Sequence, residues 1–329
     1  MGLAALRKIQ VGKETTPGTA VAATAKYMGM MLTTNLDDRI IVQPKDERGS
    51  LAGTHRSYTP NYLWNGSLQG NVTYEDLPYI LRMALIGAVS PTTVDTSARL
   101  WTYTPSLTAA NVPDTNTLEM GDDTGEYEAE YVFATNLEIS AAVDDALKFR
   151  ADLVGRQLAA STFTGALADR TVEDALGAKT KLYMDDTGGT IGTTQKTLTL
   201  IDWTWRLPAH FVVKRHQDGN QYFSGYSEVK MEPELDLLVE YNSTLRTLRT
   251  KYTAETRQLV RLRTQGSLAG AATALREVTI DGAYKIVEMG SFDERAGADV
   301  VRMKLKGEYD ATYAKLFEIS AQNAVAALA

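Results

Sequence analysis

From Leu137 onward apolar residues occupy every second position: Leu137, Ile139, Ala141 and Val143, then Leu147, Phe149, Ala151 and Leu153, with Lys148, Arg150 and Asp152 between them. A period of two sends alternate side chains to opposite faces of a strand, so each run predicts a strand with one buried and one wet face. Asp144-Asp145 between the runs predicts a two-residue hairpin turn. Leu235, Leu237, Val239 and Tyr241 repeat the pattern, as do Val260, Leu262 and Thr264, and Val301, Met303 and Leu305. The expected class is mainly β (α+β), built on antiparallel sheets.

Helical spacing is clear in two places only. Leu77, Ile80, Leu81, Ala84 and Leu85 share one face behind Asp76, a capping residue, with Pro78 in the first turn where its missing N–H is harmless. Leu245, Leu248 and Tyr252 do the same behind Ser243. Each predicted helix follows an alternating strand, GSLQGNVTYED or ELDLLVEYNS, and each strand follows a charged loop, VQPKDERGSLAGTHRSY or VVKRHQDGNQYFSGY. Further strands come after each helix. The order strand, charged loop, strand, helix, strands therefore occurs twice, the mark of an internal duplication. It predicts two tandem antiparallel β-sandwich or barrel domains, each with one flanking helix, over residues 1–165 and 166–329, divided in a small-residue stretch without periodicity.

Residues 13–28, KETTPGTAVAATAKYM, have no apolar period, and Pro17-Gly18 predicts a turn. This run reads as an arm of the N-terminal domain that needs a surface to lie against, either its own chain or another copy.

Composition narrows the function classes. The chain has 329 residues, 41 acidic against 34 basic, for a net charge of −7. Such a surface repels phosphate and anionic lipid, which argues against tight nucleic-acid wrapping. With no cysteine, disulfides, thiolate metal sites and thiol nucleophiles are excluded. No apolar window approaches the ~18 residues of a membrane helix and the N-terminus has no secretory core, so a soluble protein is expected.

Catalytic and binding motifs do not assemble. Asp123-Thr124-Gly125 and Asp186-Thr187-Gly188 superficially match an aspartic-protease pair, but each follows a second aspartate, in GDDTGE and MDDTGG, where turn chemistry is the better reading. His55, His210 and His216 have no metal-ligand spacing, GDDTGEYEAE lacks the calcium-loop pattern, and GGTIGTTQK has no Lys-Ser or Lys-Thr at the distance a phosphate loop requires. Trp203 and Trp205 alternate on one strand face, as a sugar-binding platform or as packing residues. No catalytic residue, cofactor or metal is expected, and the chain is not expected to be an enzyme.

KETTPGTAVAATAKYM, LEMGDDTGEYEAEYVFATNLEIS, ALKFRADLVGR and ELDLLVEYNSTLRTLRTKYTAETRQLVRLRTQG together resemble the tail tube proteins of long-tailed bacteriophages, the major tail proteins of non-contractile, siphovirus-like tails. The resemblance lies in the order and character of segments over both halves. It implies a structural protein of the virion tail, assembled in the host cytoplasm into stacked rings whose channel carries DNA at genome ejection. Six tube domains make a ring in that family, so a duplicated chain implies a ring of three copies with pseudo-sixfold symmetry. Its other partners would be the tail tip, tape measure and tail terminator proteins, with no membrane and no specific DNA contact. The resemblance also implies that the N-terminal arm and a stacking loop find their partners in the ring above or below; that loop holds Lys45, Asp46, Glu47, Arg48, His55 and Arg56, whose mixed charges suit self-complementary contact, with Lys214, Arg215, His216 and Asp218 as its second-half equivalent. Glu138, Asp152, Asp236 and Glu240 alternate with apolar residues and are the candidate lumen-facing acids, giving an expected net negative lumen. The alternatives are a tube of a related needle or secretion system, which would share the fold, and a carbohydrate-binding sandwich using Trp203 and Trp205.

Overall fold

Strands with one apolar face must cover it, and here they do so against one another. The computed structural model of the chain describes residues 2–197, 199–271 and 273–328. The first half runs through β1 (Lys8–Lys13), β2 (Ala25–Lys26), β3 (Met30–Thr34), β4 (Arg39–Val42), β5 (Tyr58–Tyr62), β6 (Trp64–Asn71) and helix α1 (Leu77–Ala84). It continues with β7 (Thr92–Thr93), β8 (Arg99–Tyr103), β9 (Asn116–Gly121), β10 (Glu126–Ala134), β11 (Leu137–Ala142), β12 (Lys148–Gly155) and β13 (Leu158–Ala160). The second half holds β14 (Thr180–Asp186), β15 (Gln195–Lys196), β16 (Leu200–Leu207), β17 (Phe211–Lys214), β18 (Gly225–Glu228), β19 (Glu234–Glu240) and helix α2 (Ser243–Thr253). It ends with β20 (Arg257–Leu268), β21 (Leu275–Met289), β22 (Asp293–Arg295), β23 (Ala298–Gly307) and β24 (Phe317–Asn323). Among the described residues the fold is mainly β with two α-helices, and all strand pairings are antiparallel.

The pairing pattern of the first half recurs in the second. In the first, β1 pairs with β2 and β9, β9 with β10, β10 with β12 and β13, β12 with β11 and β6, and β6 with β3. In the second, β14 pairs with β15 and β20, β20 with β21, β21 with β23 and β24, β23 with β22 and β19, and β19 with β16. A separate two-stranded hairpin stands between the third and sixth strand of each set, β4–β5 in one and β17–β18 in the other. Among the described residues only β7 and β8 lack a counterpart, and β8 covers the outer edge of β24.

Each half is sandwich-like because one long strand serves two layers. Residues 127–129 of β10 pair with β13 and residues 133–134 with β12, across a bulge that bends the strand. Tyr131 in that bulge has φ 55°. The long β21 changes partners likewise, from β24 to β23. One apolar cluster runs through both halves, from Leu68 and Leu153 to Leu237 and Met303. The halves meet where β11 pairs with β16, so a single sheet reads β3-β6-β12-β11-β16-β19-β23-β22.

Several local expectations need correction. The arm lies on its own chain: β1 extends to Lys13, and buried Glu14 accepts hydrogen bonds from Gly18 N (2.8 Å), Thr117 Oγ1 (3.1 Å) and Tyr131 N (2.7 Å). A period-based reading misses this because the tie is a polar one. The Asp144-Asp145 turn is wider than two residues, since β11 ends at Ala142 and β12 starts at Lys148 while Leu147 is buried and bonded to Ala175. All of α1 is buried, including Arg82 on its expected wet face. Asp76 does not cap it; its carboxylate accepts from Met28 N and pairs with Arg170. At α2 Leu245 and Leu248 are buried while Tyr252 is exposed, and Asn242 accepts from Leu245 N, the capping bond expected of Ser243.

Candidate assembly interface

Period-two patterning brings the four predicted acids onto one face of the shared sheet. Glu138 on β11, Asp152 on β12 and Asp236 and Glu240 on β19 all lie opposite to the buried residues of their strands. Basic residues are interleaved with them. One register row crosses the sheet as Gln69, Arg150, Glu138, Arg206, Glu234 and Lys306. Directly opposed unlike charges stabilise such cross-strand pairs. The face therefore lacks the acidic excess expected of it.

Every cation on this face has a carboxylate partner. Arg206 bridges Glu138 (2.7 Å) and Asp236 (2.8 Å), and these carboxylates hold its guanidinium above its ordinary pKa. Lys304 meets Glu288 (2.7 Å), Lys306 meets Glu234 (3.3 Å), Arg302 meets Asp202 (3.4 Å) and Arg150 meets Asp152 (3.4 Å). Lys148 pairs with Asp145. Exposed pairs like these contribute little to stability, so their consequence is for what binds the face. An incoming phosphate meets cations that are already neutralised.

The two charged loops occupy corresponding places but differ in surroundings. Lys45, Asp46, Glu47, Arg48, His55 and Arg56 lie between β4 and β5 on a solvent-facing loop, where Asp46 pairs with Arg48 (2.9 Å) and Arg56 (3.3 Å). Lys214, Arg215, His216 and Asp218 form the end of β17 and the loop after it. Arg215 donates to Tyr62 O (3.3 Å), His216 Nδ1 lies 2.6 Å from Ser224 Oγ, and Asp218 accepts from Asn220 N (3.1 Å). The β17–β18 hairpin docks on the first half: Phe211 and Phe223 are buried against Tyr131 and Phe133. Arg156 seals this contact, donating to Phe223 O (3.0 Å) and standing over the Tyr131 ring. The β4–β5 hairpin is held instead by hydrogen bonds to that second loop, Tyr62 N donating to Gln221 O (2.8 Å) and Gln221 Nε2 to Thr59 O (2.8 Å), and Ile40, Ile41 and Tyr58 are exposed on it.

Residues of the competing readings lie elsewhere. Asp122 Oδ1 accepts from Thr124 N and Gly125 N in the turn between β9 and β10, and Asp186, at the end of β14, pairs with Lys251. The two DTG sequences are thus separate turns. Trp203 and Trp205 are buried, and Trp205 Nε1 donates to Tyr284 Oη (2.8 Å), so neither indole forms a sugar platform. Sequence reasoning missed the docking residues Phe211, Phe223 and Arg156, whose spacing in the chain carries no period.

The chain matches no protein-family model and no curated protein.

Proposed function

We propose that this chain is the tube subunit of a long, non-contractile phage tail, joining edge to edge into rings that stack around a channel for DNA. The observation that carries this reading is one sheet assembled from two halves with the same pairing pattern, which ends in strands paired on one side only among the described residues. Open edges seek partners, and a head-to-tail contact between identical copies closes a ring when its rotation fits. The repeated pattern supports two tandem tube domains, 1–165 and 166–329, so that three copies complete six domains. The 43–57 loop, with both signs of charge, then faces the next ring, and the paired-charge face lines the channel. Negative-stain microscopy of concentrated protein is the test: hollow rings or tubes with three chains per ring are expected, and persistently single particles would reject the reading.

A further inference from the structure

The junction between the halves is a template for a junction that the chain lacks. Within the chain β11 pairs with β16. By the repeated pattern the counterpart of β11 is β22, and that of β16 is β3. Among the described residues β22 pairs with β23 alone and β3 with β6 alone, so each has the edge free that its counterpart uses.

We propose that β22 of one copy pairs antiparallel with β3 of a second copy, reproducing the β11–β16 junction. The register follows from aligning Phe149-Arg150-Ala151-Asp152-Leu153-Val154-Gly155 with Val301-Arg302-Met303-Lys304-Leu305-Lys306-Gly307, equivalent strands that share Arg, Leu and Gly at the same places. Carried through the strand registers, this sets Phe292 where Ile139 stands and Thr34 where Trp205 stands, so the Ile139–Trp205 pair becomes Phe292 opposite Thr34 of the second copy. Thr33 then faces Asp293, and Met31 faces Arg295.

Exposure of apolar side chains agrees with this assignment. Ile139 is fully buried, whereas Phe292 at the matching position is 62% exposed, and Met31 and Leu36 beside the other edge are exposed as well. The hairpins repeat the asymmetry. The β17–β18 hairpin rests on the half before it through buried rings, while β4–β5 is tied to the rest of the chain through hydrogen bonds to Gln221 and Arg215 and leaves Ile40, Ile41 and Tyr58 in solvent. A second copy supplies both missing surfaces in one head-to-tail contact. Ring closure at three copies rests on the tube reading; the edge pairing itself does not.

Because the chain has no cysteine, a single engineered pair reports the contact without background. The variant Thr33→Cys/Asp293→Cys changes two exposed side chains and is checked for wild-type circular dichroism. Oxidised at high concentration, it is expected to move most of the chain into species linked between copies, ending in a closed trimer; Thr33→Cys/Asp218→Cys, the control, is expected to stay monomeric on a denaturing gel. A linked ladder without hollow rings keeps the edge pairing and overturns the tube reading. Rings or tubes without the link keep the tube reading and overturn this pairing. Absence of the link in unassembled protein, or equal linking in the control, also overturns it.

Discussion

At the residue scale, the strongest constraints come from polar atoms that burial leaves no alternative partner. Trp205 Nε1 and Tyr284 Oη satisfy one another inside the core, where burial also pushes the phenol pKa well up. Trp205→Phe strands the hydroxyl and is expected to cost about 1–3 kcal/mol, read as a lower thermal midpoint, beyond what Leu237→Ile costs at a site with no polar partner. His210 is a second case. Its Nε2 is 2.7 Å from Ala84 O and its Nδ1 3.2 Å from Pro208 O, yet burial outweighs these carbonyls and lowers its pKa from the ordinary 6.5. A depressed imidazole pKa means that the unfolded chain binds the proton first, so this contribution to stability is complete above pH 6.5 and is lost as pH falls toward the folded-state value. His210→Gln is expected to flatten denaturant midpoints between about pH 6.5 and pH 5; unchanged pH dependence would refute this role. Gly18 shows what was legible at this scale. Pro17-Gly18 announced its turn, and Gly18 has φ 80° with the Arg156 guanidinium where a Cβ would stand. The hydrogen bonds of Glu14 were not legible, since a buried carboxylate among threonines and alanines has no signature in a linear pattern.

At the scale of elements, period two identified the strands that meet water on one side, including β11, β12, β19, β20 and β23. It placed Glu138, Asp152, Asp236 and Glu240 each on the wet face of its own strand, because parity alone decides that face. It could not show that Arg206, Lys304 and Lys306 share that face, because this depends on register between strands far apart in sequence. Helix α1 was legible as a helix and not as a buried one: an eight-residue element packed against β8 and β10 and buried throughout has no wet side to show. The order of elements alone put the two charged loops in corresponding places, but it could not show their different packing, because one docks through the buried rings of Phe211 and Phe223 and the other is held through polar bonds between β5 and the loop after β17. That difference yields a prediction for the first loop. Charge reversal at Arg48 and Arg56 breaks two exposed pairs with Asp46, so the fold should be unaffected to within about 0.5 kcal/mol, and on the proposed tube reading stacking between rings should weaken. Circular dichroism with tube length in micrographs checks both parts, and loss of folded protein in the double variant would contradict the assignment.

At the scale of the whole molecule, the proposed tube reading requires a channel that lets DNA phosphates slide past without holding them. Net charge alone would achieve this through repulsion, and the chain's −7 led the sequence reading in that direction. The shared sheet offers a different means, a wall of nearly balanced charge in which each cation is already occupied. Binding phosphate there requires displacing a carboxylate, which removes the counterion-release gain that drives most protein–DNA association. The argument is testable on dispersed subunits, since this face is open to solvent in a single chain. The wild-type protein is expected to show no measurable affinity for a labelled duplex at about 100 mM salt. Glu138→Gln/Asp152→Asn/Asp236→Asn frees Arg206 and Arg150 while keeping side-chain size, and it should bind the duplex with an affinity that falls steeply as salt rises, by a slope of about −0.9 for each phosphate contacted. Fluorescence anisotropy across a salt series measures both quantities. If the wild type bound DNA as tightly as the triple variant, paired charge would not be what keeps this wall from holding phosphate.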